Sequence, residues 1–151
     1  MLRTRLNESL KDAMRAKDAR AVSTLRLILA ALKDRDIAAR GRGVTDGISD
    51  DDILAMLQTM IKQRREAISL YEQGGRLELA EQEREEIAVI EGFMPRQLGE
   101  EEIRRAVDEV IRDLGSGGLK DMGRTMAELR SRYSGRMDFT KASGFVRAAL
   151  G

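Results

Sequence analysis

The stretch DMGRTMAELRSRYSGRMD, residues 121–138, decides how the end of this chain folds. Apolar residues recur there at helical spacing, beginning just before it: Leu119, Met122, Met126, Leu129 and Tyr133. Ser134-Gly135 breaks the pattern, and Asp138 is placed to cap a further helix with Ala142, Phe145, Val146 and Ala149 on its apolar face. The stretch predicts two short helices joined by a glycine-containing turn.

The same periodicity predicts five helices upstream. The first two carry leucines and isoleucines every three or four residues and end at Gly41-Arg42-Gly43. Ser49 caps a third with three acids behind it, and Gly74-Gly75 lets a fourth fold back as an antiparallel hairpin. A fifth runs from about Ile103 to Leu114. No useful strand alternation is present, so we expect an all-α protein.

A single proline, Pro95, divides this pattern. Proline disfavours helix at the residue before it, so the helical run should end at Met94. We therefore expect an N-terminal helical bundle over residues 1–94. A small three-helix domain should follow over residues 95–151, with a flexible connection at residues 115–118.

The composition removes several kinds of chemistry. The 151 residues include no Cys, His or Trp, so thiol nucleophiles, imidazole bases and the usual zinc or copper ligands are excluded. We expect no metal, no cofactor and no catalytic residues. The absence of cysteine is typical of a reducing compartment, and no run of apolar residues is long enough to span a bilayer. We therefore expect a bacterial cytoplasmic protein without membrane contact.

A net charge of +1 hides an asymmetry. Residues 1–45 hold 11 basic and 5 acidic side chains, and residues 46–95 hold 5 and 12. Residues 117–151 hold 7 and 3, a net charge of +4. Basic ends around an acidic middle can steer a polyanion towards the ends, although helices also carry charge simply to stay solvated.

The candidate contacts for a polyanion are basic residues of the tail. Bonds from such side chains to phosphates would be charge-assisted and sensitive to salt. The alternative interpretation is a solvated helix surface. The candidate nucleic-acid-binding residues are Lys120, Arg124, Arg130, Arg132, Arg136 and Lys141.

A second set should maintain the shape of the tail. Gly123 lies in a helix start, where glycine costs roughly 1 kcal/mol relative to alanine, so either close packing or a close ligand should compensate. We favour packing at Gly123 and a left-handed helix stop at Gly135. The structural set is Asp121, Met122, Gly123, Met126, Gly135 and Asp138.

A secondary basic cluster, Lys62, Arg64 and Arg65, lies on the third predicted helix. Pairing of Lys62 with Glu66 one turn later is the simplest explanation for it. Glu83 and Glu86 share a face of the fourth helix, but no oxygen-rich loop accompanies them, so a cation site is not expected there. Nothing marks a pocket for paired carboxylates in acid–base catalysis.

Five segments together resemble the GatB/YqeY family, in its stand-alone YqeY branch, over essentially the whole chain. They are Leu10-Lys11-Asp12-Ala13-Met14, Thr24-Leu25-Arg26, Lys62-Gln63-Arg64, Phe93-Met94-Pro95-Arg96-Gln97-Leu98 and Asp121-Met122-Gly123-Arg124-Thr125-Met126. Two positions depart from the family pattern. Gly99 stands where a capping serine is frequent, and Arg124 stands where lysine is common.

The resemblance implies a bundle followed by a three-helix domain, which also forms the tail of the B subunit of the glutamine-dependent tRNA amidotransferase. There the domain is thought to contact the outer body of the tRNA. We therefore expect a non-catalytic module that binds tRNA or an amidotransferase-type complex. Two alternatives stay open: a protein-interaction scaffold, in which the acidic fourth or Met-rich sixth helix docks a partner, and an accessory carbon–nitrogen ligase that takes its amide nitrogen from glutamine.

Overall fold

The computed structural model describes residues 1–151 and is built from helices alone. The seven α-helices are α1 (Leu2–Ala16), α2 (Ala19–Arg40), α3 (Asp50–Gln73), α4 (Leu77–Glu91), α5 (Glu100–Leu114), α6 (Met122–Arg132) and α7 (Phe139–Leu150). A single 3-10 turn, Leu119–Asp121, precedes α6. The all-α prediction is confirmed, and none of the helices is long and apolar enough to cross a membrane.

Local sequence signals set the helix bounds. The Ser49 hydroxyl accepts the N–H of Asp52 at 3.2 Å, and three acids follow it in the first turn of α3. Asp138 caps α7 by accepting the N–H groups of Thr140 and Lys141. Both caps satisfy backbone donors that have no partner inside the helix, which explains why these two starts could be predicted.

The chain separates into two compact units, Met1–Met94 and Pro95–Gly151. In the N-terminal unit, helices α1 to α4 bury one apolar core, whose fully buried side chains include Leu6, Ile28, Ile53, Leu57 and Ile90. Burial of each large aliphatic side chain contributes about 1.5–3 kcal/mol. The apolar stripes of the four helices thus account for this unit.

Ion pairs show how α3 and α4 are oriented. Glu72 near the end of α3 pairs with Arg84, whereas Arg65, two turns earlier in α3, pairs with Glu91 at the end of α4. Partners that run in opposite directions along two helices mean that the helices are antiparallel. This confirms the hairpin predicted from Gly74-Gly75.

In the C-terminal unit, each of α5, α6 and α7 packs against the other two. Val110, Leu129, Met137 and Val146 are fully buried between them. The segment before α5 is tied to the α6–α7 turn, because the Leu98 N–H donates to the Arg136 carbonyl at 2.8 Å and the Gln97 amide to the Gly135 carbonyl. The turn is therefore a fixed part of this unit.

The start of α5 lacks a capping side chain because Gly99 has none. The Glu102 carboxylate accepts the Gly99 N–H at 3.1 Å and pairs with Arg96 at 2.7 Å. Arg96, followed by the Gly99 N–H, lowers the pKa of Glu102 to about 2. Glu102 thus stabilises the helix start from inside the helix.

Candidate nucleic-acid interface

The carboxylates of residues 117–151 are all engaged in local structure. Asp121 accepts the Gly117 N–H at 2.9 Å and lies 3.4 Å from Arg124. Glu128 pairs with Arg132, and Asp138 caps α7. Because these acids are occupied, they do not neutralise the remaining cations of the tail.

Five tail cations have no carboxylate oxygen within 4 Å of their side-chain nitrogens. We refer to them as the unpaired tail cations: Lys120, Arg130, Arg136, Lys141 and Arg147. A cation without a counter-ion keeps its full charge for an anionic partner.

Two of the predicted contacts lie at the turn end of α6. The Arg130 guanidinium lies over the Phe139 ring at 5.8 Å, and that of Arg136 lies 6.0 Å from the Tyr133 ring. These distances are at the edge of cation–π range, so each ring restrains its arginine weakly. Arg130 and Arg136 thus form a pair of unneutralised charges beside the α6–α7 turn.

Lys120 and Arg124 lie at the other end of α6. Lys120 is exposed in the 3-10 turn, and Arg124 is half-exposed in its pair with Asp121. The loop before them is fixed, because the buried Thr125 hydroxyl donates to the Asp121 carbonyl and lies 2.8 Å from the Ser116 hydroxyl. The sequence predicts a flexible connection at residues 115–118. The Ser116–Thr125 hydrogen bond and the bond from the Gly117 N–H to Asp121 instead hold this segment against the start of α6.

Arg132 differs from the other predicted contacts. Its guanidinium pairs with Glu128 at 2.8 Å and with Asp113 of α5 at 2.9 Å, and these two carboxylates raise its pKa, Glu128 most. It also lies about 160° around α6 from Arg130, since successive helical residues are about 100° apart. The structure therefore gives Arg132 a role in joining α5 to α6.

Helices α6 and α7 form an antiparallel pair. Phe139 begins α7 beside Arg130 at the end of α6, and α7 also contacts the 3-10 turn at the start of α6. Arg147 lies about 80° around α7 from Phe139, and Lys141 lies about 160° away from Phe139. Arg130 and Arg136 thus lie together at the α6–α7 turn, whereas Lys141 lies on a different side of α7.

The residues of the predicted structural set differ in burial and packing. Met126 is buried, Met122 packs against the same core, and Gly135 has a left-handed φ of 73°. Gly123, by contrast, is exposed, and a Cβ added there would meet no atom within 4 Å. The prediction that helix packing explains Gly123 is therefore wrong.

Comparison with known proteins identifies the family. Residues 3–150 match the family described as Yqey-like protein. The chain belongs to the YqeY family. This confirms the resemblance carried by the five segments.

Curated relatives of this YqeY-family chain include proteins named Altered inheritance of mitochondria protein 41, mitochondrial. The one from Eremothecium gossypii is 30% identical over 148 residues, which covers 96% of this chain and 78% of the relative. The one from Pyrenophora tritici-repentis is 28% identical over 134 residues, which covers 87% of this chain and 71% of the relative.

The names of these relatives correct one expectation. They describe mitochondrial proteins of eukaryotes, so the expectation of a cytoplasmic protein is wrong, and a bacterial source is not supported. The absence of cysteine reports on redox conditions and does not identify a compartment.

Two of the three residues in the secondary basic cluster of this YqeY-family chain form ion pairs with α4. Arg64 is nearly buried and pairs with Glu86 at 3.1 Å, and Arg65 pairs with Glu91 at 3.6 Å. Lys62 is exposed and has no carboxylate within 4 Å, so the predicted pair with Glu66 is not formed. The i+4 rule missed Arg64 because its partners lie on another helix.

Arg64 also occupies the face shared by Glu83 and Glu86. Its Nε atom lies 4.0 Å from Glu83, and its Nη1 donates to the Met60 carbonyl at 3.1 Å. Burial, followed by the neighbouring Glu86, raises the pKa of Glu83. The Arg64 guanidinium thus lies against Glu83 and Glu86, on the face where a bound metal cation would otherwise have to lie.

Proposed function

We propose that this protein is a non-catalytic helical module that binds tRNA through phosphate contacts from its C-terminal unit. The observation that carries the proposal is the distribution of charge in residues 117–151. All three acids there are engaged locally, and five of the seven basic side chains lack a carboxylate partner. The tail of the amidotransferase B subunit, to which the family resemblance extends, supports tRNA as the polyanion.

Arg130 and Arg136 are the central contacts of this proposal. They lie at one end of the α6–α7 pair, and Lys120 lies about 15 Å away along α6. A duplex of that length carries about nine phosphate charges, so one RNA helix can engage both ends. Few aromatic side chains are exposed for base stacking, so the contacts should be independent of sequence.

The exposure of Gly123 favours the same binding surface. Its exposed position at the start of α6 leaves room for a partner backbone to approach, next to Lys120 and the half-exposed Leu119. Arg132 is omitted from the contact set because it is held by two carboxylates.

The test is a titration of labelled tRNA with the full chain at about 50 and about 200 mM salt. The double variant Arg130→Gln/Arg136→Gln should bind more weakly and reduce the slope of log K against log salt by about two. The matched control is Arg105→Gln/Arg112→Gln, which removes the same charge from exposed, unpaired arginines of α5. Equal effects from the two pairs, or no binding of tRNA at low salt, would contradict the proposal.

A second candidate is docking to a protein through the tip of the α3–α4 hairpin. Leu70 and Leu77 flank Gly74-Gly75 there and are 68% and 66% exposed. The acidic residues Glu78 and Glu81 follow on the exposed face of α4. The Met-rich face of α6 is not available for this role, because Met126 is buried.

The variant Leu70→Gln/Leu77→Gln separates the two candidates. It should release a co-purifying protein and leave tRNA binding unchanged if the hairpin tip docks a partner. The carbon–nitrogen ligase activity implied by the resemblance stays a prediction, and a glutaminase assay on the purified chain tests it.

A further inference from the structure

A row of basic side chains follows the exposed side of α2. Arg26, Lys33 and Arg40 are seven residues apart, which is close to two turns, so they lie along one side of the helix. All three are exposed, and none has a carboxylate oxygen within 4 Å. We refer to these three residues as the α2 row.

The spacing makes the α2 row long and nearly straight. Seven residues advance about 10 Å along a helix, so the row spans about 21 Å. Its direction drifts by only about 20° per step around the helix. A double-stranded nucleic acid carries about twelve phosphate charges over that length. The row therefore fits an extended polyanion better than a single small anion.

Nearby acids do not neutralise the row. Asp36 accepts two bonds from Arg3, at 2.6 and 3.1 Å, and one from the Ile48 N–H at 2.9 Å. The Arg3 guanidinium, with smaller contributions from the Ile48 N–H and from Arg40, lowers the pKa of Asp36, and this acid forms its ion pair with Arg3 and not with Arg40. Asp34 lies about 100° around the helix from Lys33.

Between Lys33 and Arg40 the row borders one carboxylate, Asp36, which is bonded to Arg3, and one apolar side chain. Ile37 lies between Lys33 and Arg40 and is 50% exposed. Lys33, Ile37 and Arg40 line an open groove of about 270 Å³ beside α1, together with Asn7 and the Arg3–Asp36 ion pair. Because Asp36 is bonded to Arg3, the three cations of the row form no ion pair along the helix.

We propose that the α2 row is a second phosphate-binding surface, which contacts the backbone of double-stranded RNA. This inference rests on the proposed function, since it extends the same ligand to the N-terminal unit. Double-stranded RNA is recognised mainly through shape, phosphates and 2′-hydroxyls, which requires cations at intervals and no base-reading side chains. Two covalently linked phosphate-binding surfaces strengthen binding, because the second contact is made at a high effective concentration.

The test uses the full chain and a labelled RNA duplex of about 20 base pairs, since the row spans roughly a third of that length. The triple variant Arg26→Gln/Lys33→Gln/Arg40→Gln should bind about tenfold more weakly or worse at about 50 mM salt, with the salt slope reduced by about three. The control Lys11→Gln/Lys62→Gln/Arg76→Gln makes the same change of charge at exposed, unpaired positions of α1, α3 and the start of α4. It should reduce binding only slightly.

The outcomes separate this inference from the proposed function. If the Arg130/Arg136 variant loses RNA and the α2-row variant matches its control, the row inference is overturned and the tail function stands. If only the α2-row variant loses RNA, the inference stands and the tail site fails. If the row variant keeps RNA binding but loses affinity for a glutamate-rich helical peptide, the row docks an acidic protein and the inference is overturned.

Discussion

Two arginines, one in each unit, occupy opposite environments. In the N-terminal unit, Arg64 is nearly buried, pairs with Glu86 and donates to the Met60 carbonyl. In the C-terminal unit, Arg130 lies over a ring at the surface with no carboxylate within 4 Å. The difference shows that the role of a basic residue in this sequence depends on which residues it contacts in the folded chain. A charge held by a buried acid supports the fold, and a charge without one is free to bind.

Each unit has its own buried core, and the largest expected effect tests whether the two units fold separately. We propose that residues 95–151 fold independently of residues 1–94. Leu129 is fully buried in the core of the C-terminal unit, so Leu129→Ala should cost about 3 kcal/mol, a large part of the stability of so small a unit. Circular dichroism should then show an early transition that removes about a third of the helical signal.

The control for this prediction is Leu119→Ala, because Leu119 is mostly exposed and its truncation should change stability by less than about 0.5 kcal/mol. A single transition in which both units of Leu129→Ala melt together would show that they fold as one body.

Arg64 provides the next largest effect. Arg64→Met removes the partner of Glu86 and leaves a buried carboxylate uncompensated, which should lower the free energy of unfolding of the N-terminal unit by about 3 kcal/mol. Arg65→Met is the matched control on the same helix, since the Arg65–Glu91 pair is exposed and contributes less than about 1 kcal/mol. Urea unfolding of both variants measures the difference, and equal losses would remove the distinction between the two arginines.

A smaller effect should depend on pH. Burial and Glu86 raise the pKa of Glu83 in the folded state, so the folded state binds more protons than the unfolded state between the ordinary glutamate pKa and the raised one. The contribution of Glu83 to the free energy of unfolding of the wild-type protein therefore becomes more favourable as the pH falls through that window. Glu83→Gln should be slightly more stable than wild type at pH 7, and the advantage should vanish below the ordinary glutamate pKa.

The pKa of Glu102 is shifted in the opposite direction from that of Glu83. Its pKa is lowered to about 2 by Arg96 and the Gly99 N–H, so its contribution is present above the ordinary glutamate pKa and is lost as the pH falls towards 2. Thermal melts of wild type, Glu83→Gln and Glu102→Gln from pH 7 to pH 3 distinguish the two residues. A Glu83→Gln advantage that grows on acidification would contradict the assignment.

Particular residues show what the sequence could and could not predict. Ser49, Asp138 and Gly74 act on residues within about four positions, so helix bounds and the α3–α4 hairpin followed from local rules. The partners of Arg64 and Arg3 lie 22 and 33 residues away, and they meet only because packing rotates particular helix faces together. The same reason explains Arg132, whose second carboxylate, Asp113, lies on α5.

Gly123 offers the smallest effect on stability and the sharpest test of the free surface in the C-terminal unit. An added Cβ meets nothing within 4 Å, and the residue is helical, so Gly123→Ala should raise stability by about 0.5–1 kcal/mol. Gly144→Ala is the matched control, because Gly144 is also exposed, helical and open. If a partner backbone approaches at Gly123, only Gly123→Ala should weaken tRNA binding while both variants gain stability. Unchanged binding in both would leave Gly123 without a role in the interface, because a stabilised helix that still binds tRNA needs no glycine there.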